Sequence, residues 1–473
     1  MCDICSVKIK QTKHKLITTL KMKMTNISKI GLAALVAVSV SMTSCKKGCT
    51  DVTAENFDSN AKKDDRSCTY LINNSGNEIV EGSITTNTTW TSDKIYELKG
   101  RVVVDNGATL TIQAGTIIKG QEGSGANASA LVIARGAKIE AIGTPSQPII
   151  FTSVLDNIEI GQTSGTNLTK TDNGKWGGLI ILGYAPISAG DGDTETQIEG
   201  FPATETYGTF GGSVANDNSG TLSYISIRHG GSLIGAGNEI NGLTLGGVGS
   251  GTTISNIEIV ANLDDGIEFF GGTVNVSNLM VAFQGDDGID IDMNYAGTIS
   301  NFMVIHGIDT DEALEIDGPE GSTYTSGLFT LSNGTIRTTD GVGTGADLKS
   351  KAQGTISNTT WEGYTSKVVK LRASFSDTTN CTDKSDAFLY LTQASPILNI
   401  SNSEIVSTGT IADAIDVYNG TVSNSANDVC TSSRETVAES AVTASGTSIV
   451  TSASTGATVS SFTWTWTSAN GEL

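Results

Sequence analysis

Six stretches in the second half of the chain place Ser-Asn after a β-branched residue or leucine and before a strand-like run. The stretches are "ISNIEIV" at Asn256, "VSNLMVA" at Asn278, "ISNFMVI" at Asn301, "LSNGTIR" at Asn333, "ISNTTWE" at Asn358 and "ISNSEIV" at Asn402. The first two intervals are 22 and 23 residues; the later ones, 32, 25 and 44, leave room for insertions or a skipped turn. A unit this short cannot bury an apolar face alone, so repeats of it must stack on one another.

A period near 22 is one coil of a parallel β-helix, two or three short strands joined by bends. An Asn at the same bend of each coil stacks its amide on the next and forms a hydrogen-bonded ladder. Leucine-rich repeats share the period, but Leu is not the recurring residue here. An antiparallel sandwich would not return in phase. The composition agrees: 55 Gly and only 6% aromatic residues suit short strands with tight turns.

A second set of segments lies between the ladder repeats: "GIEFF", "GIDID", "ALEID", "DLKSK" and "VKLR". Laid in register, Ile267, Ile289, Leu314, Leu348 and Val369 stack, as do Phe269, Ile291, Ile316, Ser350 and Leu371. Strand alternation turns these inward and their neighbours outward. The expected outward row is then Thr244, Glu268, Asp290 with Asp292, Glu315 with Asp317, Lys349 with Lys351, and Lys370 with Arg372. Three acidic coils meet two basic ones, at a spacing of about 4.8 Å. The preceding bends add Asp264, Asp265, Asp286, Asp287, Asp311 and Glu312.

An ionic ladder of Glu315 and Asp317 against Lys349 and Lys351 explains the acidic–basic junction. It does not explain three acidic coils in succession, which demand a counter-ion. Calcium takes six to eight oxygens from carboxylates and bend carbonyls, so all eleven of these acids are candidate ligands. The arrangement also resembles calcium-dependent polysaccharide lyases, in which a Lys or Arg removes the proton α to a uronate carboxylate. That resemblance makes Lys349, Lys351, Lys370 and Arg372 candidates for base and charge stabiliser. Glycoside hydrolysis needs only two carboxylates, which Asp286, Asp287 and Asp290 offer. Repetition at coil period favours the metal over either reaction, since a residue that recurs serves the repeat. No phosphate loop, zinc spacing or dinucleotide fingerprint is present.

The N-terminus carries lysines at 8, 10, 13, 15, 21, 23 and 29, then the apolar run "IGLAALVAVSV" and "SMTSC". This reads as a signal peptide, possessing a later alternative start at Met22 or Met24. Met42, Thr43 and Ser44 before Cys45 resemble a bacterial lipobox, with Met where Leu is usual, which implies lipidation of Cys45. Without residues 1–44 the formal charge is −27. Such a chain excludes nucleic acid and anionic headgroups as bulk-charge partners. Cys49, Cys68, Cys381 and Cys430 remain, an even number in an oxidising compartment, with Cys49–Cys68 and Cys381–Cys430 the expected pairs.

"GCTDVTAENFDSNAKKDDRSCTY" (48–70) is too short for a core and needs a disulfide staple. It resembles a small module of bacterial surface proteins, Gly-Cys-Thr-Asp followed by Asp-Asp-Gly-Ser-Cys, departing at Val52 and Arg66. Its acids Asp51, Glu55, Asp58, Asp64 and Asp65 are either a further calcium set or an acidic spacer. Strand–Gly–strand units such as "GRVVVDNGATLTIQAGTIIKG", together with the Ser-Asn coils, resemble the pectin-lyase-like β-helices of Gram-negative envelope lipoproteins.

The expected fold is therefore all-β, a right-handed parallel β-helix. Its divisions are a signal peptide (1–44), a lipidated disulfide module (45–78), the β-helix (79–430) and Ser/Thr-rich coils with a cap (431–473). Phe462, Trp464 and Trp466 alternate in "FTWTWTSANGEL" and are expected to cover the open end. The expected function is non-enzymatic binding of an extracellular glycan or surface protein, by an outer-membrane lipoprotein exposed to periplasm or cell exterior. A polysaccharide lyase and a purely structural surface protein are the alternatives.

Overall fold

All six ladder asparagines hold left-handed backbone, with φ between 49° and 57°. Asn tolerates that region better than most side chains, and here it breaks one strand into two directions. Asn278 Nδ2 donates to Asn256 Oδ1 at 2.9 Å, Asn301 Nδ2 to Asn278 Oδ1 at 2.6 Å, and Asn358 Nδ2 to Asn333 Oδ1 at 3.5 Å. One coil before Asn256 the same bend is made by Tyr224, at φ 52°, which the Ser-Asn signature did not show.

The computed structural model describes residues 46–50, 56–64, 67, 77–202, 204–234, 239–365, 367–420 and 429–473. The chain divides into two compact units, 1–73 and 74–473. In the first, Lys47 and Lys63 form a parallel bridge, Asp58 pairs with Lys46, and Cys49 is buried and disulfide-bonded. Cys45, Cys68, Asp51, Glu55 and Asp65 lie outside the described residues.

The second unit is a parallel β-helix of three sheets. Strands Gly220–Arg228, Thr253–Val260, Asn275–Ala282, Thr298–Ile305 and Phe329–Arg337 each pass through the ladder bend, so their halves belong to two different sheets. The third sheet stacks Leu179–Leu182, Leu243–Gly246, Ile267–Phe270, Ile289–Asp292, Leu314–Ile316, Ala346–Leu348, Val369–Asp377 and Ile415–Asn419, all parallel. Inward residues form one continuous core along the axis.

In the third sheet the inner stacks are Ile267–Ile289–Leu314–Ala346–Val369 and Phe269–Ile291–Ile316–Leu348–Leu371. The expected register is thus corrected by two residues at one coil: Ala346 and Leu348 point inward, not Leu348 and Ser350. The alternative would have placed the Ser350 hydroxyl in an apolar core without need.

The C-terminal end also differs from expectation. Residues 431 onward make only part of a coil: Val429–Ala444 is a helix, with Thr431, Ala438 and Val442 buried on one face, and Ser448–Val450 adds one parallel strand beside Glu404–Val406. It packs beside the helix Ala387–Thr392 and the strand Ile415–Asn419, and a Cys381–Cys430 disulfide (Cα–Cα 5.2 Å) joins it to the turn after Val369–Asp377. The aromatic segment does not cap this end. It runs back along the outside of the sheet that follows the ladder bend, in register with one outward row: Glu404, Thr360, Thr335, Met303, Met280 and Glu258. Glu404 accepts from the Ser454 and Thr455 amides, Thr335 Oγ1 accepts from the Ala457 amide, and Phe462 sits among Val260, Met280 and Met303. Buried Glu258 accepts from the amides of Trp466 and Thr467. Without that cover the two outward methionines of the row, both buried here, would leave an apolar patch in water.

Candidate metal centre

The outward row of the third sheet reads Thr244, Glu268, Asp290, Glu315, Asp347, Lys370, Asp416, each paired with the next. Four acidic coils therefore precede one lysine, where three acidic and two basic coils were expected. Outward does not mean exposed. Glu268 is 5% and Asp290 7% accessible, because a flap carrying Ile198, Phe201, Ile234 and Ile240 packs against Ile180 and Phe270 of the same sheet.

The bends before the strands place their acids in two ways. Asp265 Oδ1 accepts the Asp287 amide at 3.0 Å, and Asp287 Oδ1 accepts the Glu312 amide at 2.8 Å. These carboxylates thus tie each coil to the next, a structural duty in addition to any metal. Asp264 is half-buried, whereas Asp286 and Asp311 face solvent.

Asp265, Glu268 and Asp290 bring one carboxylate oxygen each within 4.8 Å of the others, all three residues buried. A second, more open trio, Asp264, Asp265 and Asp286, shares Asp265 with it. Asn241, at the position of Asp265 one coil earlier, donates its amide to Glu268 and leaves its own oxygen without a partner among the described residues. Asp290 Oδ1 is likewise buried with no hydrogen-bond partner among them.

Burial, and then the neighbouring carboxylates, push Asp265, Glu268 and Asp290 well above the ordinary carboxylate range. The same causes raise Asp264 to about 7 (burial, then Asp286) and Asp287 to about 8 (burial, then Glu312). Asp317 is raised to about 7 by burial and Asp292; Asp292 to about 6 by burial and Glu320. Charges this close and this poorly solvated cannot all be ionised without compensation. The donors are all oxygen, which fits a hard cation such as calcium and not zinc or a softer metal.

None of the four basic candidates faces this trio unpaired. Lys349 is ion-paired with Glu315. Lys370 Nζ lies 2.6 Å from Glu312 and 3.8 Å from Asp347. Arg372 Nε is 3.0 Å from Asp386, and Lys351 Nζ donates to the Pro319 carbonyl at 3.1 Å. Burial pulls the Lys370 ammonium down, but the bonded Glu312 and nearby Asp347 more than offset it and hold it above its ordinary value.

A search by family puts a name to this solenoid: the sequence model of the pectate-lyase-like beta helix domain matches residues 82–467. The chain belongs to that family. Comparisons with curated proteins and with solved structures returned no match. Within this pectate-lyase-like beta helix, sequence reasoning missed Asn241, Asp347 and the flap acids Glu199 and Glu239, which add to the charge around Glu268 and Asp264. Asn241 was within reach, since it precedes "GLTLG" as Asp265 precedes "GIEFF". The flap acids carry no repeat signal.

Proposed function

We propose that this pectate-lyase-like beta helix is an outer-membrane lipoprotein, anchored through Cys45, that binds a glycan or a surface protein without converting it. Two or more acyl chains give stable anchoring. Its acidic face holds calcium, with Asp265, Glu268 and Asp290 as the inner ligands and Asp264 and Asp286 as more open ones. The observation that carries the metal reading is the buried trio itself, with Asp290 Oδ1 unpartnered in its midst. When bound, calcium supplies charge compensation that lets these carboxylates ionise together.

The pairing of the basic residues favours binding over elimination. A base must be able to lose its proton, and Lys370 is held protonated by Glu312. Lys349 is similarly committed to Glu315. The fold alone does not license lyase activity.

Incubation with uronic-acid polysaccharides and calcium, followed by absorbance of unsaturated ends, separates the readings. The expected result is no product, together with retained binding on a glycan array or to envelope proteins. Product formation that Lys349→Ala or Lys370→Ala abolishes would replace this reading with a polysaccharide lyase.

A further inference from the structure

A cavity of about 320 Å³ lies away from the acidic trio, where three successive coils turn from the strap-covered sheet toward the acidic one. Phe283, Ile308 with Asp309, and Asp340 come from the three turns, following strands Asn275–Ala282, Thr298–Ile305 and Phe329–Arg337. Lys170 and Asn173, from the long loop before Leu179–Leu182, form the facing wall. The volume stands at the small end of ligand clefts, which suits a sugar ring better than a folded partner.

The charges at the mouth decide what class of ligand fits. Lys170 is already neutralised, its Nζ 2.7 Å from Glu472 Oε1 and 4.8 Å above the Phe283 ring. His306, also in the wall, is held neutral: burial pushes its imidazole down to about 4, and its Nε2 meets the Tyr364 hydroxyl at 3.1 Å. Asp340 is held ionised by the Thr338 hydroxyl and the Val342 amide, both bonded to Oδ1. With Asp309 it leaves the mouth net negative, which repels uronates.

The apolar contribution is equally specific. Ile308 is 75% exposed at the lip, an unusual place for a large branched residue, and the largely buried Phe283 also lines the cavity. An apolar patch ringed by carboxylate acceptors and an amide matches a pyranose, which offers a C–H face and hydroxyl donors.

We infer that this cavity binds a neutral hexopyranose unit, its ring against Ile308 and Phe283 and its hydroxyls on Asp309, Asp340 and Asn173. The inference rests on the glycan-binding reading and gives it a place and a ligand class. It is independent of the metal, because none of the trio lines the cavity.

The test uses the full chain and saturation-transfer NMR. The probes are the methyl glycosides of glucose, galactose and mannose, with glucuronate and glucosamine as charged comparators. Thr339→Trp fills the mouth and Ile308→Ser removes its apolar lip; both sites are exposed, so folding is retained and is checked by thermal melting. The expected result is saturation of at least one neutral glycoside, weakened tenfold or more by either variant, with glucuronate silent. Neutral-sugar binding untouched by both variants would overturn the site while sparing the glycan reading. A variant-sensitive preference for glucosamine or glucuronate would overturn the ligand class. No sugar binding by the parent chain, with a blank glycan array, would remove both.

Discussion

Glu268 and Asp290 are directly paired neighbours on adjacent coils, both outward and both more than nine-tenths buried. Like charges opposite one another on paired strands destabilise a sheet. Here a flap shuts them away from water as well, and Asp265 closes the triangle. The consequences of that arrangement are measurable.

The first is a pH dependence of unusual sign. Asp264, Asp287 and Asp317 have folded values of about 7, 8 and 7, above their ordinary 3.8. Groups raised on folding favour the native state when protonated and disfavour it once ionised. Chelator-treated protein is therefore expected to lose stability steadily from about pH 4 to pH 8. Thermal melts across that range in EDTA check this; a flat or rising profile would contradict it.

The junction at Lys370 gives a second prediction. Lys370→Met leaves Glu312 and Asp347 without their cation, and Asp347 already sits at about 6 through burial. Loss of about 2 kcal/mol is expected at pH 8, where Asp347 is ionised, and clearly less at pH 5. Equal losses at the two pH values would place the lysine's role in packing alone.

The Asn ladder can be dissected because its backbone and side chain have separate costs. Asn278→Ala puts Ala at φ 55° and removes two inter-coil amide bonds. A loss of about 2 kcal/mol is expected. Asn278→Gly relieves the backbone strain but not the lost bonds, so it should cost about half as much, as read by denaturant titration.

The strap yields a fourth. Glu258 accepts from Ser226, Trp466 and both donors of Thr467 while fully buried. Glu258→Ala should cost more than about 2 kcal/mol and raise hydrogen exchange across 454–473 first. Truncation before Ser454 should expose Met280, Met303 and Phe283 and increase binding of a hydrophobic dye.

The β-helix was legible because its two signals are periodic: an Asn that tolerates the left-handed ladder bend better than most residues, and apolar pairs at strand spacing. The register slipped at "ADLKSK" because Lys349 and Lys351 looked like members of the charged row, whereas Ala346 and Leu348 satisfy the core. The terminal helix was missed because Ser and Thr composition hid the 3.6-residue spacing of Thr431, Ala438 and Val442. The strap was missed for a different reason. An alternating aromatic run announces an apolar face but not what it covers, and the covered row, Met280 and Met303, lies over 150 residues earlier. Glu268 and Asp290 were placed outward from the pattern alone; their burial depends on the flap near Ile198 and Ile240, which repeats nothing.

The central claim is that the buried trio holds a cation, and Asp290→Asn tests it most directly. Calcium titration calorimetry and thermal melting at pH 8 would be run on both chains. In chelator the variant should be the more stable by at least about 1 kcal/mol, since it removes a carboxyl group whose ionisation burial and the neighbouring carboxylates disfavour. With calcium the parent should gain stability and show a binding heat that the variant loses. A parent chain that shows neither heat nor stabilisation with calcium, or a variant that binds as well as the parent, would contradict the account.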